Sequence, residues 1–155
     1  MKRKAVLFNL VALFAAAVVC FAAEDVNMGT WKLNEAKSKI SPGTGKNFTV
    51  VYAAAGDSVK ITVDGVDSDG KPAHNEWTGK FDGKEYPVTG DPASDTRAYE
   101  RVNDHTLALT VKKGGEVTMT IRVVVAADGK SRTVTVNGTD AKGKKFSSTA
   151  VYDKQ

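Results

Sequence analysis

The stretch Gly29-Thr30-Trp31-Lys32-Leu33, followed by a long series of short alternating segments, decides the fold of this chain. A large aromatic residue at the start of an all-β meander is typical of a side chain that closes one end of a barrel. After it, apolar residues recur at every second position in residues 59–63, 107–111 and 117–125. This period of two predicts half-buried antiparallel strands and argues against helices.

Turn-forming residues separate these segments. Asp-Gly and Gly-Gly pairs permit the positive φ angle that tight hairpins need. The strands are predicted at residues 29–34, 46–54, 58–66, 73–81, 96–102, 106–113, 116–126, 131–139 and 145–153. Two longer connections remain, 34–45 and 82–95. The second contains Pro87, Gly90 and Pro92 and is predicted to be a rim loop or a mobile lid.

So many consecutive strands joined by short turns predict an all-β fold, an up-and-down antiparallel β-barrel of about 8–9 strands. Closing the sheet on itself removes the exposed edge strands that a long meander would otherwise have. A barrel of about eight strands has an interior just wide enough to be packed with side chains or to hold one small molecule.

An internal repeat accompanies the turns. Residues 54–71 align without gaps on residues 127–144. The repeat indicates either a duplicated half-barrel or the same turn chemistry used twice. In both cases Gly65 and Gly138 lie late in a strand, where a bulge or a sharp bend would help the sheet to close.

The N-terminus has the composition of a secretory signal peptide. Three basic residues at positions 2–4 precede an apolar stretch at positions 5–19, which is shorter than the roughly twenty residues of a membrane span. Small residues then favour cleavage after Ala22. We expect a signal peptide at residues 1–22 and one barrel domain at residues 23–155, periplasmic or secreted and monomeric.

The cysteine content and the balance of basic and acidic residues exclude further classes of function. Cys20 is the only cysteine; a lipoprotein would carry its lipid there, but Val19 before it is unfavourable for that processing. The whole chain has 22 basic and 18 acidic residues. Without the three basic residues at positions 2–4, the charge is close to neutral. Nucleic acid binding needs a surplus of Lys and Arg, so we expect no nucleic acid partner and no stable membrane insertion.

Residues 29–33 resemble the Gly-x-Trp signature in the first strand of the calycins, the superfamily of lipocalins and fatty-acid-binding proteins. The ending Val151-Tyr152-Asp153-Lys154 resembles the last strand of the fatty-acid-binding branch. The resemblance implies an up-and-down barrel with an internal pocket for a hydrophobic ligand.

The chain departs from the fatty-acid-binding pattern at two places, and the leader fits the lipocalin side better. The connection 34–45 is too short for the two-helix lid of that branch. Ala150 stands where that branch has the arginine of its carboxylate-binding Arg-x-Tyr pair. The lipocalin pattern implies that a basic side chain from a late strand covers the tryptophan, with Arg122, Arg132 and Lys145 as candidates.

Several side chains are candidate ligand contacts. Arg97, Tyr99 and Arg101 alternate on one strand, so they could clamp an anionic head group if that face is the interior. If that face is exposed, the arginines would instead pair with nearby acids for little energy. Arg122 has the same ambiguity. Trp77 either fills the core or lines a pocket.

Trp31 is predicted to seal the barrel end, with its indole N–H bonded at the rim. No metal or catalytic constellation stands out. Asp67, Asp69 and Glu76 match part of a calcium loop, but a hairpin turn explains them more simply, and His74 and His105 are too far apart for a zinc motif. No Gly-x-Ser-x-Gly elbow is present.

The sequence therefore predicts an exported small-molecule-binding barrel, not an enzyme, without cofactor or metal, that carries a hydrophobic or amphipathic and possibly anionic ligand. The alternative is a structural or interaction barrel whose core is filled by its own side chains and which acts through its rim loops. An accessible interior favours the first, and a packed interior favours the second.

Overall fold

A closed barrel of ten antiparallel strands makes up almost all of the structure, a computed structural model that describes residues 24–155. The predicted signal peptide lies outside the described residues. The strands are β1 Gly29–Leu33, β2 Lys46–Ala55, β3 Ser58–Val66, β4 Pro72–Gly79, β5 Asp82–Thr89, β6 Thr96–Asn103, β7 Thr106–Lys113, β8 Glu116–Val125, β9 Ser131–Thr139 and β10 Lys145–Lys154. Each pairs with its sequence neighbours, and β10 pairs with β1 to close the ring.

The up-and-down barrel is confirmed, but the predicted strand count is too low. Nine strands lie within two residues of their predicted bounds, whereas β5 occupies most of what was predicted to be a long connection. Pro87 can lie in β5 because this strand pairs with β4 at only two positions, so a residue without an N–H costs little there. The rim loop is thus reduced to residues 90–95.

Helical structure among the described residues is limited to one 3-10 turn, Glu35–Lys37, in the connection that was predicted to be too short for a two-helix lid. Asn34 caps this turn by accepting a hydrogen bond from the Lys37 amide. Within residues 24–155, no helix has both the length and the apolar character needed to cross a membrane.

The barrel has two unlike ends. We call the end that carries residues 24–28, the start of β1 and the end of β10 the closed end. The opposite end carries the connection 34–45 and the loop 90–95, and we call it the open end. The halves of the barrel next to them are the closed half and the open half.

Aromatic side chains fill the closed half. Trp77 packs against Tyr99 with a centroid distance of 4.5 Å and lies parallel to Phe81 at 6.5 Å. Tyr52 meets Tyr99 edge-on at 6.4 Å. Contacts of this kind add to the large apolar area that each ring removes from water, so this half is a packed core.

Residues 24–28 cover the closed end beneath Trp31. Trp31 is 0% exposed, and its Nε1–H donates to the Asn27 carbonyl oxygen at 3.0 Å. Lys154 Nζ donates to the Val26 carbonyl oxygen at 3.3 Å. The last strand and the segment before the first strand therefore both contribute to closing this end of the barrel.

The open half is lined by aliphatic side chains that are buried on β3 and β7 and less completely covered on β8 and β9. Met119 and Ile121 of β8 have the same parity as the buried Val123, so they face the interior, yet both are partly exposed. Val134 of β9 is also partly exposed, whereas Leu109, directly opposite Ile121 on β7, is buried. Met119, Ile121 and Val134 pack against the buried core, and each keeps part of its surface exposed to solvent.

The loop 90–95 explains why the β7 side is covered. The Asp95 amide donates to the Lys112 carbonyl oxygen at 2.8 Å, and the Asp95 carboxylate accepts from the Gly114 amide at 2.8 Å. These bonds hold the loop against the end of β7. Across the barrel, the connection 34–45 is held against β10 in a similar way, because the Lys39 amide donates to the Thr149 carbonyl oxygen at 2.7 Å.

Candidate functional site

Two glycines shape the rim of the open end, each beside a β-bulge. A Cβ on Gly65 would lie 1.9 Å from the Lys46 carbonyl oxygen, and one on Gly138 would lie 2.9 Å from the Thr118 carbonyl oxygen. Next to Gly65, the register of β2 skips Phe48; next to Gly138, the register of β8 skips Thr118. Glycine is required at both positions because the bulged backbone approaches so closely.

A groove lies at each of these bulges, and both grooves are open to solvent. The first has a volume of about 350 Å³ and is lined by Phe48, Asp64, Gly65, Pro72, Ala73 and His74. The second, of about 240 Å³, is lined by residues on either side of the β8–β9 pairing, among them Met119 and Gly138. Phe48 and Val117 leave large apolar side chains exposed at this rim.

The internal repeat forms the same turn twice at the open end. In the β3–β4 and β9–β10 turns, Asp67 and Asp140 each accept hydrogen bonds at 2.9 Å from the amides two and four residues further on. The Asp67 carboxylate is therefore used by its own hairpin. Within residues 24–155, no cluster of three or more His, Cys, Asp or Glu side chains is arranged to hold a metal ion.

Arg97 holds the loop 90–95 in place. It points inward from β6 and is 8% exposed, and its Nη2 donates to Asp91 Oδ2 at 2.8 Å. Ser94 Oγ donates to the same oxygen at 2.6 Å, and the Ala93 amide donates to Asp91 Oδ1 at 2.9 Å. The Arg97 guanidinium thus already has a carboxylate partner at the mouth of the barrel.

Arg101 lies on the same face of β6 but at the closed end. It forms an ion pair with Asp25 and lies over the Phe81 ring at 5.2 Å. Burial alone would raise the pKa of Asp25, but hydrogen bonds from Arg101 and Asn27 hold it below its ordinary value. The structure therefore does not bring Arg97 and Arg101 together as one clamp, because each is bound to its own acid.

The remaining predicted contacts lie in the core or outside the barrel. Tyr99 is buried between these two arginines, and its burial raises the pKa of its hydroxyl. Trp77 is also buried, and its Nε1–H donates to the Arg97 carbonyl oxygen at 3.1 Å. Arg122 is exposed and has the parity opposite to Ile121 on β8, so it faces solvent outside the barrel.

Arg132 is the basic side chain that covers the tryptophan. Its guanidinium carbon lies 4.6 Å from the Trp31 ring centroid, 4.7 Å from that of Tyr52 and 5.2 Å from that of Tyr152. Lys154 Nζ lies 5.3 Å from the Trp31 ring. Of the three candidates named from the sequence, only Arg132 makes this contact among the described residues.

The interior position of Arg132 could have been found from parity, because it alternates with Val134 and Val136 on an apolar face. Arg132 is 2% exposed, and its Nε and Nη1 have no hydrogen-bond partner in the described part of the chain. Nearby, Tyr152 donates its hydroxyl to the Asn47 carbonyl oxygen at 3.0 Å. Burial raises the pKa of Tyr152 to about 12, although the positive charge of Arg132 opposes the shift.

A charged row lies on the outer surface next to the first groove. His74 Nδ1 is 2.6 Å from Asp64 Oδ1, and Glu76 Oε1 lies 3.7 Å from His74 Nε2 and 3.0 Å from Lys60 Nζ. The hydrogen bond to Asp64 raises the pKa of His74. All four side chains are well exposed, so this row is a solvated surface network of small energetic weight.

Two solved structures are similar to this chain in outline. One is EF1p2_mFAP2b bound to DFHBI, with a TM-score of 0.46 and 11% identity over 84% of this chain and 94% of that chain. The other is a redesigned β-barrel, mFAP1, bound to DFHBI, with a TM-score of 0.43 and 18% identity over 83% of this chain and 95% of that chain. No family model matches the sequence, and no curated protein does. These comparisons do not assign the chain to a family.

Proposed function

We propose that this protein is an exported, calycin-like β-barrel that binds one small amphipathic molecule in the open half of its interior. The observation that carries the proposal is the partial exposure of the inward-facing side chains Met119, Ile121 and Val134. These side chains pack against the core but keep apolar surface in contact with water, and that surface is available to an apolar guest.

Hydrophobic burial supplies the affinity in this proposal. Removing apolar surface from water is worth about 25 cal/mol per Å². A guest that covers part of the exposed surface of Met119, Ile121 and Val134 therefore gains binding free energy. The guest enters beside β8 and β9, because the loop 90–95 covers the β7 side. A groove open to solvent lies at each of the two bulges, at Phe48 and at Thr118. The role is that of a binding protein and not of an enzyme.

Export is part of the same proposal. It is supported by the basic and apolar composition of residues 1–22 and by the absence of cysteine after position 20 in the sequence. Fractionation of the producing cells, with sequencing of the mature N-terminus, tests it. We expect a product that begins at Ala23; an unprocessed chain that stays in the cytoplasm would contradict export.

A second candidate function is that of an interaction barrel that acts through its rim. The aromatic packing of the closed half and the exposed Phe48 at the open end favour it. In that case the partly exposed wall of β8 and β9 would take up no guest, and the two candidates differ in whether the protein binds a small apolar probe.

Titration with the neutral dye phenylnaphthylamine, whose fluorescence rises in apolar surroundings, tests the proposed function. We expect saturable binding that Ile121→Trp weakens at least about tenfold, because the larger ring fills the interior beside β8. Val124→Trp is the matched control, since Val124 lies on the same strand, faces outward and is 40% exposed. Absence of dye binding, or equal effects of the two variants, would contradict binding inside the barrel.

A further inference from the structure

Charged side chains are distributed unevenly over the outer surface of the barrel. On β3 and β4, outward-facing acids and bases pair with one another, as Lys60 does with Glu76 at 3.0 Å. Between residues 118 and 125 of β8, and along β9 and β10, the only outward-facing carboxylate is Asp153. It lies at the closed end and accepts a hydrogen bond from Asn34 Nδ2 at 2.7 Å. The outer face of β8–β10 is therefore almost free of negative charge.

Three exposed cations belong to this face or to its edge, namely Arg122, Lys145 and Lys39. In residues 24–155, no acidic side chain lies within 4.0 Å of their charged nitrogens. Lys142 and Lys144 are also exposed, in the turn that precedes Lys145. The outer face of β8–β10 therefore carries an excess of positive charge, although the chain is close to neutral without its basic residues at positions 2–4.

The strand register fixes how far apart these cations are. Arg122 lies opposite Thr135, and Thr135 lies opposite Thr149. Thr149 in turn lies opposite Lys39, so one row across the sheet has a cation at each end. Neighbouring strands are about 4.8 Å apart, which places the Cα atoms of Arg122 and Lys39 roughly 14 Å apart. Lys145 lies four residues before Thr149 on β10, about 14 Å nearer the open end.

Hydroxyl and amide side chains fill the space between the cations. The row of Arg122 contains two threonines, and the next row toward the open end consists of Thr120, Asn137 and Ser147. Thr120, Asn137 and Lys145 also line the second groove, of about 240 Å³. Hydroxyl and amide groups both donate and accept hydrogen bonds. The outer face of β8–β10 therefore offers partners for neutral hydroxyl groups as well as for anions.

The wide spacing favours a long anion over a small one. Side chains stand roughly perpendicular to a sheet, so the charged ends stay about as far apart as their Cα atoms and one small anion cannot contact two of them. A polymer with a negative charge at intervals can contact several cations and can also bond to the hydroxyl groups between them.

Two other polyanions fit this face less well. Duplex DNA carries one charge per about 1.7 Å of its axis, far denser than these cations, and single strands stack their bases on aromatic rings, none of which faces outward on β8–β10. A membrane surface favours large apolar side chains that insert into it, whereas this face offers only Val124 and the partly buried Val151.

From these observations we infer that the outer face of β8–β10 is a docking surface for an anionic polysaccharide of the polyuronate class. Its carboxylates pair with Lys39, Arg122 and Lys145, and its hydroxyl groups bond to the threonines between them. This surface gives Arg122 a role that binding inside the barrel does not use. It is separate from the interior, so either site can fail without the other.

Calorimetric titration with polygalacturonate and with its methyl ester tests the inference, because esterification removes the charge and keeps the sugar chain. We expect saturable binding of polygalacturonate at low ionic strength and binding of the ester that is weaker by about tenfold or more. Added salt should weaken the binding of polygalacturonate, since exposed charges are screened.

A double variant locates the site. Lys39→Gln combined with Arg122→Gln removes both cations of the row and is expected to raise the Kd for polygalacturonate about tenfold. Lys84→Gln is the matched control, because Lys84 is an exposed lysine of β5, a strand that is not adjacent to β8, β9 or β10. It should leave the Kd almost unchanged.

Three results would overturn the inference. The first is equal binding of polygalacturonate and its methyl ester, and the second is a double variant that binds as tightly as Lys84→Gln. The third is tighter binding of single-stranded DNA or of phosphatidylglycerol vesicles than of polygalacturonate, which would assign this face to nucleic acid or to a membrane. None of these results bears on dye binding inside the barrel.

Amide NMR of the unaltered protein gives the same answer without a variant. The resonances of Thr135 and Thr149 are expected to shift when polygalacturonate is added. Those of Thr62, which faces outward on β3 across the barrel, should stay where they are. Bound polymer that shifts Thr62 and leaves Thr135 and Thr149 unaltered would place the docking surface elsewhere and overturn the inference.

Discussion

The two halves of this barrel share one sheet but differ in how their interiors are filled. The closed half contains large rings, and its end is covered by residues 24–28 through hydrogen bonds and the ion pair between Asp25 and Arg101. The open half contains aliphatic side chains and two bulge-facing glycines, and its β8–β9 wall stays partly exposed. The comparison suggests that one half supplies stability, so that the other can leave apolar surface for a guest.

Truncation of the closing tryptophan should have the largest effect. Trp31→Ala removes a fully buried indole and its hydrogen bond to Asn27, and we expect the free energy of unfolding to fall by about 4 kcal/mol. Trp31→Phe keeps most of the apolar area and should lose less. Urea denaturation measures both, and a loss of less than about 1 kcal/mol for Trp31→Ala would contradict a closed half that carries the stability.

The same truncation made once in each half sharpens the comparison. Ile61 is 0% exposed in the packed core, whereas Ile121 is partly exposed in the open half. We expect Ile61→Ala to cost about 3 kcal/mol and Ile121→Ala about 1 kcal/mol, because a partly exposed side chain gives up less transfer free energy and leaves no closed cavity. Equal losses in the same denaturation experiment would mean that both halves are packed alike.

Removal of the ion pair that anchors the loop 90–95 should have an intermediate effect. Arg97→Met leaves the largely covered Asp91 carboxylate without its cation, and we expect a loss of about 2 kcal/mol. Hydrogen exchange of the Asp95 amide, which bonds to Lys112, should become faster at the same time. If exchange at Asp95 is unaltered, Arg97 does not anchor this loop.

Acidification should weaken the closed end slightly. The pKa of Asp25 is lower in the folded protein than its ordinary value near 4, so its ion pair with Arg101 stabilises the fold fully above that pH and less as pH falls through the folded pKa. The effect should stay below about 1 kcal/mol, because the pair is partly exposed. Asp25→Asn should flatten the acid limb of the stability profile relative to the unaltered protein, and identical profiles would contradict this role.

Most of the fold was predictable because its signals are local. The alternation of apolar and polar residues and the Gly-containing turns both lie within single hairpins. Nine strands were therefore predicted within two residues of their observed bounds. β5 was missed because it contains Gly83 and Pro87 and has few apolar residues. Its place depends on pairing with β6 at four positions and on the packing of Tyr86 against Trp77 at 5.7 Å, which are tertiary contacts.

The site was predictable only in part. Parity placed Arg97 and Arg101 on one face, but no local pattern showed that Asp91 and Asp25 would bind them from a loop and from the N-terminal segment. Arg132 was named from the sequence only as one cover for the tryptophan. That its N–H groups would lack acceptors depends on which side chains surround it, and those come from strands far apart in the chain.

Methyl NMR of the protein with phenylnaphthylamine tests the central claim most directly, because it reports where the guest lies in each half. We predict that the methyl resonances of Ile121 and Val134 shift as the dye binds, while those of Ile61 stay where they are. Bound dye that shifts only the outward-facing methyls of Val124, or that shifts Ile61 as strongly as Ile121, would contradict an interior that is accessible from the open end alone.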